Sequence, residues 1–346
     1  MVSQWLNGER LPTFRQAKLA AKKLRVPFGF LFLDEPPDET LPIPDFRTVD
    51  GQPIDNISLD LRDLLYSVLR KQEWLSQYLA ESGSRAIGLV GSRRREHAVS
   101  VIADDIRTNL DLRLADRPSR SDTFLRQLVQ RAEDVGIAVL RSGIVGNDTH
   151  RKLNVREFRG FSLSDSFAPL IFINSADAPP AQVFTLVHEL AHIWRGDTGI
   201  SGSLDQSSAF VERLCNQVAA EVLVPQEEFI LAWQSGLDVH EAIKRAAGRF
   251  RVSRYVSAIR AFESGFIDQG ELASLLEEYR AEGARTSNAE GGDYYRTLIA
   301  RNSRTITEGV VDAISRQRVL IREAAGLLDA KPSQLERIAR ELQGAA

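Results

Sequence analysis

One short stretch, "VFTLVHELAHIWRG" from Val183 to Gly196, constrains this chain more than any other. His188, Glu189 and His192 fit the spacing H-E-x-x-H, which on a helix puts the two histidines one turn apart on one face. Two imidazoles so placed can share a tetrahedral metal ion, and the glutamate beside the first can hold a water against it. The metal brings that water's pKa down to about 7, and the carboxylate takes its proton as the water attacks a peptide carbonyl. Phe184, Leu186, Val187, Leu190, Ile193 and Trp194 surround the motif, so the helix that carries it is expected to be buried. A core helix that merely contains two histidines would show the same apolar pattern. The motif alone leaves both readings open.

A catalytic zinc site has three protein ligands and an open position. Downstream, "AFVERLCNQVAAEVLVP" reads as an apolar helix with two acids, Glu212 and Glu221. Glu212 precedes Asn216 by one turn, which permits a glutamate on the metal and an asparagine hydrogen-bonding a ligand histidine from behind. Glu221 lies nearly opposite Glu212 around the helix, so both cannot bind one ion, and a structural role is expected for Glu221. The bland role for Glu212, a pairing with Arg213 or another base, stays open at this point.

The chain is long enough, at 346 residues, for two or three domains. Its net charge of -3 excludes a global basic field, so any contact with DNA would need a local patch. A single cysteine, Cys215, fits a reducing interior. Neither a long apolar run nor the opening of a signal peptide is present, so the expected location is the cytoplasm, away from membranes.

Five segments follow from local patterns. Residues 1–35 read as short helices: a turn at Asn7-Gly8, then Pro12-Thr13 opening a helix whose apolar face is Phe14, Ala17, Ala20, Ala21 and Leu24. Five prolines between Pro36 and Pro53 make 36–58 an extended linker. Residues 59–120 read as a helix from Leu59 to about Ser82, an arginine run at Arg93–Arg95, and a second helix from about His97 to Leu114. Residues 121–260 begin with a helix capped at Ser121-Asp122 and stopped by Gly136. Strands are expected at "IAVLRS", around Phe158–Leu163 and at "PLIFIN", and Pro179-Pro180 opens the motif helix. Residues 261–346 read as helical. Within them "VLIREAAGLLDAKPSQLERIARELQ" has the spacing of a helix-turn-helix, or of an apolar hairpin docked on the body. "PLIFIN" is also the expected edge at which a substrate peptide would add as a strand. His150, His240, Tyr255 and Arg260 are the groups chemically able to stabilise an oxyanion.

Together, "FTLVHELAHIW" and "ERLCNQVAAEVLVP" resemble the ImmA/IrrE family of zinc metallo-endopeptidases, with Cys215 and Val218 where alanine and an aromatic are usual. "PLIFIN", "FRVSRYVSAIRAFESGFI" and "GGDYYRTLIARNSRTITEGVVDAI" extend the resemblance. The N-terminal stretch resembles the tail of an XRE-type helix-turn-helix, lacking its first two helices and most of its reading helix. The resemblance implies zinc as cofactor, His188, His192 and Glu212 as its ligands, Glu189 as general base and Asn216 as support behind a histidine. It implies a mainly helical α+β fold, with a minimal zincin-like core and small sheet between helical N- and C-terminal regions. The implied partner is a protein substrate, a transcriptional repressor cleaved to release stress or mobile-element genes. Direct DNA binding by the truncated reading head is not expected, Arg10, Arg15, Lys18, Lys22 and Lys23 being read as a solvated face. The competing reading is a DNA- or protein-binding regulator with a structural or vestigial metal site, and a weaker one a sensor that gates the peptidase.

Overall fold

The computed structural model describes residues 2–35, 57–95, 98–197, 206–234, 236–283 and 293–344. For 206–209, 280–283 and 344 the description is of backbone alone. Most of the expected linker, 36–56, and His97 lie outside the described residues. The chain divides into two compact units, Met1–Pro42 and Ile43–Ala346.

In the first unit, helix α1 (Val2–Leu6) is followed by α2 (Phe14–Leu24) and a tight turn at Phe28–Phe32. Thr13 opens α2 as expected: its hydroxyl accepts from Gln16 N–H, while its own N–H donates to Gln16 Oε1 at 2.9 Å. The expected apolar face of α2 is not a buried one. Phe14 and Leu24 are exposed, and Ala21 is the one buried residue of the helix.

The second unit begins with α3 (Leu59–Glu81), started by Ser58 and ended near Ser82, as the periodicity predicts. Then come α4 (Val99–Asn109) and α5 (Ser121–Asp134). The side chains of Ser121 and Asp122 do not cap α5; Arg120 holds the cap position, and Asp122 instead accepts a hydrogen bond from its guanidinium. Gly136 does end the turn, with φ +90°.

Three strands expected from the sequence form, namely β1 (Ala138–Ser142), β4 (Gly160–Leu163) and β5 (Leu170–Asn174). Between them lies a hairpin that the apolar pattern did not announce, β2 (Ile144–Val145) and β3 (Asp148–Lys152), turning at Gly146-Asn147. In the three-stranded sheet the order is β1-β5-β4, with β1 parallel and β4 antiparallel to β5. This corrects one expectation. "PLIFIN" is the central strand, with both ladders occupied, and cannot offer an edge; β4 is the edge strand beside it.

Helix α6 (Pro179–Arg195) carries the H-E-x-x-H motif, and α7 (Gln206–Leu223) carries Glu212. The chain continues as α8 (Gln226–Ala232), α9 (Val239–Phe250), α10 (Arg254–Glu263) and α11 (Gln269–Gly283). It ends with α12 (Tyr294–Asn302), α13 (Arg304–Ser315), α14 (Ile321–Leu327) and α15 (Leu335–Gly344). The protein is mainly helical with a small mixed sheet.

One apolar core joins α4, α5, one sheet face, α6, α7 and α9 through residues such as Ile106, Leu128, Val139, Ile171, Ile173, Leu190, Val218 and Phe250. The other sheet face carries Leu140 and Phe172. α12 and α13 pack against β1, and α13 also against α3. The C-terminal pair α14 and α15 docks through Ala324, Leu328, Ile338 and Leu342, all buried, so that segment is an apolar hairpin on the body. No helix among the described residues is long and apolar enough to cross a membrane.

Candidate metal centre

Helix α6 starts with two prolines in its first turn, where no N–H partner is needed. From Gln182 to Arg195 nearly every residue is buried. It stops at Gly196, φ +71°, where a side chain would meet the backbone of Gly91, its Cβ 2.9 Å from Gly91 Cα. The loop that comes so close closes the helix end, since Gly91 N–H donates to Ile193 O at 3.0 Å and Arg93 N–H to Trp194 O at 2.8 Å. The motif helix is thus fixed at both ends and enclosed along its length.

On it the two histidines converge. His188 Nε2 and His192 Nε2 are 3.1 Å apart. Glu212 reaches across from α7, one carboxylate oxygen 3.4 Å from His188 Nε2 and the other 3.2 Å from His192 Nε2. Glu212 therefore faces the histidines rather than Arg213. The three residues offer one ligand atom each, all within 4.8 Å of one another. Two ring nitrogens of basic lone pair, turned toward each other beside a carboxylate, need a shared proton or a cation between them. The donor set of two imidazoles and one carboxylate suits a divalent ion such as zinc.

Electrostatics agree with that demand. Burial penalises the charged form of Glu212, but hydrogen bonds from the two histidines outweigh it and hold the carboxyl well below the usual range. Burial also opposes charge on His192, yet Cys215, Glu212 and Glu189 beside it push its imidazole well above the usual value. Glu189 is 1% exposed, and burial raises its carboxyl while the two histidines and the Ser162 hydroxyl of β4 pull the other way. A raised carboxyl is a stronger proton acceptor than one in water.

β4 lies directly against this part of α6. At Gly160 an added Cβ would sit 2.6 Å from Thr185 Cγ2, 2.9 Å from Phe172 O and 3.5 Å from Glu189 Oε1. Only glycine lets the strand come this close to the helix.

Other expected residues fall elsewhere. Asn216 is exposed, and it is Cys215, one residue earlier and fully buried, that meets His192. Helix α7 presents Glu212 and Cys215 to α6, three residues apart; a one-residue shift of phase separates that from the expected pair. Glu221 takes the structural role: it lies 3.2 Å from Arg260 and accepts from Gln226 N–H. Arg260 is held between Glu221 and Glu263, the latter at 3.0 Å, which removes it from the oxyanion candidates. His240 faces Glu278 near the surface, and His150 is exposed on β3. Ser162 and Cys215 were not read from sequence as neighbours of the site, being a small polar strand residue and a cysteine inside an apolar run.

Two histidines and a carboxylate gathered from two packed helices define a candidate divalent-metal centre. Residues 132–262, from the end of α5 through α10, match the family model of the IrrE N-terminal-like domain of M78 peptidases. That segment is thus similar to the ImmA/IrrE family, which supports a metallopeptidase role. No curated protein matches the chain.

Proposed function

We propose that the protein is a zinc-dependent endopeptidase, with His188, His192 and Glu212 holding the ion and Glu189 as general base. The observation that carries this reading is the convergence of those three side chains, with a buried carboxylate next to the first histidine in sequence. Zinc held by these residues would supply a Lewis acid that acidifies water and polarises a carbonyl. Glu189 accepts the proton of the attacking water and passes it to the leaving amine. His192 is set against α7 by Cys215, and Glu189 against β4 by Ser162. The substrate is a regulatory protein, an XRE-type repressor by the family resemblance, cut at one site.

Elemental analysis tests the ligand set. About one zinc per chain is expected in wild type and in Glu221→Ala, and none in Glu212→Ala. Zinc retained by Glu212→Ala would mean the assignment is wrong and a regulator without catalysis should lead. Glu189→Gln should keep the metal and lose at least ~100-fold in hydrolysis. Comparing new protein N-termini in cells producing wild type and Glu189→Gln identifies the substrate. A broad spread of cuts would sink the single-target part of the reading.

A further inference from the structure

The first unit, Met1–Pro42, has almost no interior. Among its described residues, 2–35, Ala21 is the one buried side chain, while ten large apolar residues stand exposed. Three rings form a row across it. Phe14 of α2 meets Phe28 edge-on with 5.1 Å between centroids, and Phe28 meets Phe32 in the same way at 5.2 Å. Phe14 is 70% and Phe32 71% exposed, and Phe30, Leu31 and Leu33 are exposed on the same turn. With Leu11 these residues present on the order of 600 Å2 of apolar surface, at the upper end of what a monomer leaves open. A standard protein interface covers about 800 Å2 on each partner.

A unit of about 40 residues rarely stabilises itself; a disulfide, a metal or association with another chain usually completes it. Residues 1–42 contain neither cysteine nor histidine, which removes the first device and the commonest ligands of the second. The one group of potential metal ligands among the described residues lies outside this unit. Association is the device that remains. The charges around the apolar row bear on what the partner is. α2 carries Arg15, Lys18, Lys22 and Lys23, all exposed, the first three on one face of the helix. Asp34 and Glu35 follow the apolar turn directly and are exposed as well. None of these six groups pairs with an opposite charge among the described residues.

We propose that this surface joins the protein to a second copy of itself in a two-fold dimer. The apolar rows pack against each other at the centre, and the α2 cations of each copy meet Asp34 and Glu35 of the other. A two-fold axis makes every such pair occur twice, so one surface carries both halves of the pairing. Duplex DNA, an anionic bilayer or an acidic protein would match the lysines but would set its own negative charge beside Asp34 and Glu35. A surface bearing both signs answers the whole patch, and this chain already has one. The contact holds whether or not the metal centre is catalytic.

Sedimentation of the full chain over a wide range of concentration tests it. Wild type should pass from a single 38.6 kDa chain in dilute solution to a pair as concentration rises. Phe32→Glu, at an exposed position, should weaken the pairing at least ~10-fold by setting a charge in the apolar row. Lys18→Glu with Lys22→Glu in one protein, and Asp34→Lys with Glu35→Lys in another, should each pair more weakly than wild type, because like charges then face each other. Mixed together, these two proteins should associate more tightly than either does alone, which also shows that neither has lost its fold. The proposal is overturned if wild type stays monomeric at every concentration, whether or not it binds duplex DNA or phosphatidylglycerol vesicles. It is overturned equally if Phe32→Glu pairs as wild type does, or if mixing the two charge variants brings no gain.

Discussion

Gly160 shows how much of the site can rest on one missing side chain. Its alanine variant would drive a methyl into Thr185 and the Phe172 carbonyl, so β4 must withdraw from α6 or α6 must shift under Glu189. The expected cost is about 1–3 kcal/mol in a denaturant titration. Thr185→Ser in the same chain removes the methyl at 2.6 Å and should recover part, not all, because the carbonyl contact stays. A double variant no more stable than Gly160→Ala alone would show that the strand's closeness is set elsewhere. That His188, His192 and Glu212 come together was legible in the sequence, because motif spacing and helical phase both constrain them. Asn216 was not, since reading the α7 face required knowing which side α6 occupies, and a one-residue error in phase exchanges an exposed asparagine for the buried Cys215. Gly160 was silent for a similar reason: a glycine at the start of a strand has no signature until its neighbour is known.

At the scale of elements, α7 depends on groups far from it in sequence. Its last carbonyls, Val222 and Leu223, accept from the Arg117 guanidinium, which also reaches Phe250 O at 3.1 Å at the end of α9. Arg107 takes Glu221 O at 2.9 Å. A planar fork can serve several helix-end carbonyls at once, and enclosure here lowers its pKa to about 10. Arg117→Ala is expected to cost about 2–3 kcal/mol, and Arg117→Lys to restore less than half, because one ammonium cannot span two helix ends. Equal stability of the lysine variant and wild type in urea would reduce the contact to a simple charge. Helices and strands were mostly legible, with α3 and the two-proline start of α6 the clearest. The order of strands was not: nothing in "PLIFIN" distinguishes a central strand from an edge, since both are apolar runs of the same length.

Across the second unit, the C-terminal helices are held to α5 by buried polar contacts as well as apolar ones. Glu133 on α5 accepts from the Ser303 hydroxyl and from Arg304 N–H at 2.8 Å, and so caps α13 from outside. Ser303 adopts φ +66°, ψ 144°, a conformation that favours glycine and costs about 1–3 kcal/mol. Burial raises the Glu133 carboxyl above its usual range despite these bonds. The folded state therefore holds this proton more tightly than the unfolded chain. The resulting stability is fully present below the usual carboxylate range and is lost as pH rises through the raised value. Glu133→Gln keeps an oxygen for Ser303 and Arg304 but has no charge to bury. It should match wild type in acid and exceed it once Glu133 is ionised, as read from Tm against pH. Parallel curves for the two proteins would remove Glu133 from the pH response.

The strand order also bears on how quickly such a protein can assemble. β4 and β5 are joined by a short connection, so their ladder closes cheaply, but β1 can meet β5 only after residues 143–169 have looped back. Because α6 rests on β4 and β5 and is joined to β1 through the Arg141 bond to Gln182, the histidine pair has its full support only when that longer closure is complete. Ions offered to a refolding chain should accordingly be captured at the pace of the slowest ladder, and a zinc indicator mixed in during refolding would record that pace as the rate at which free ion disappears.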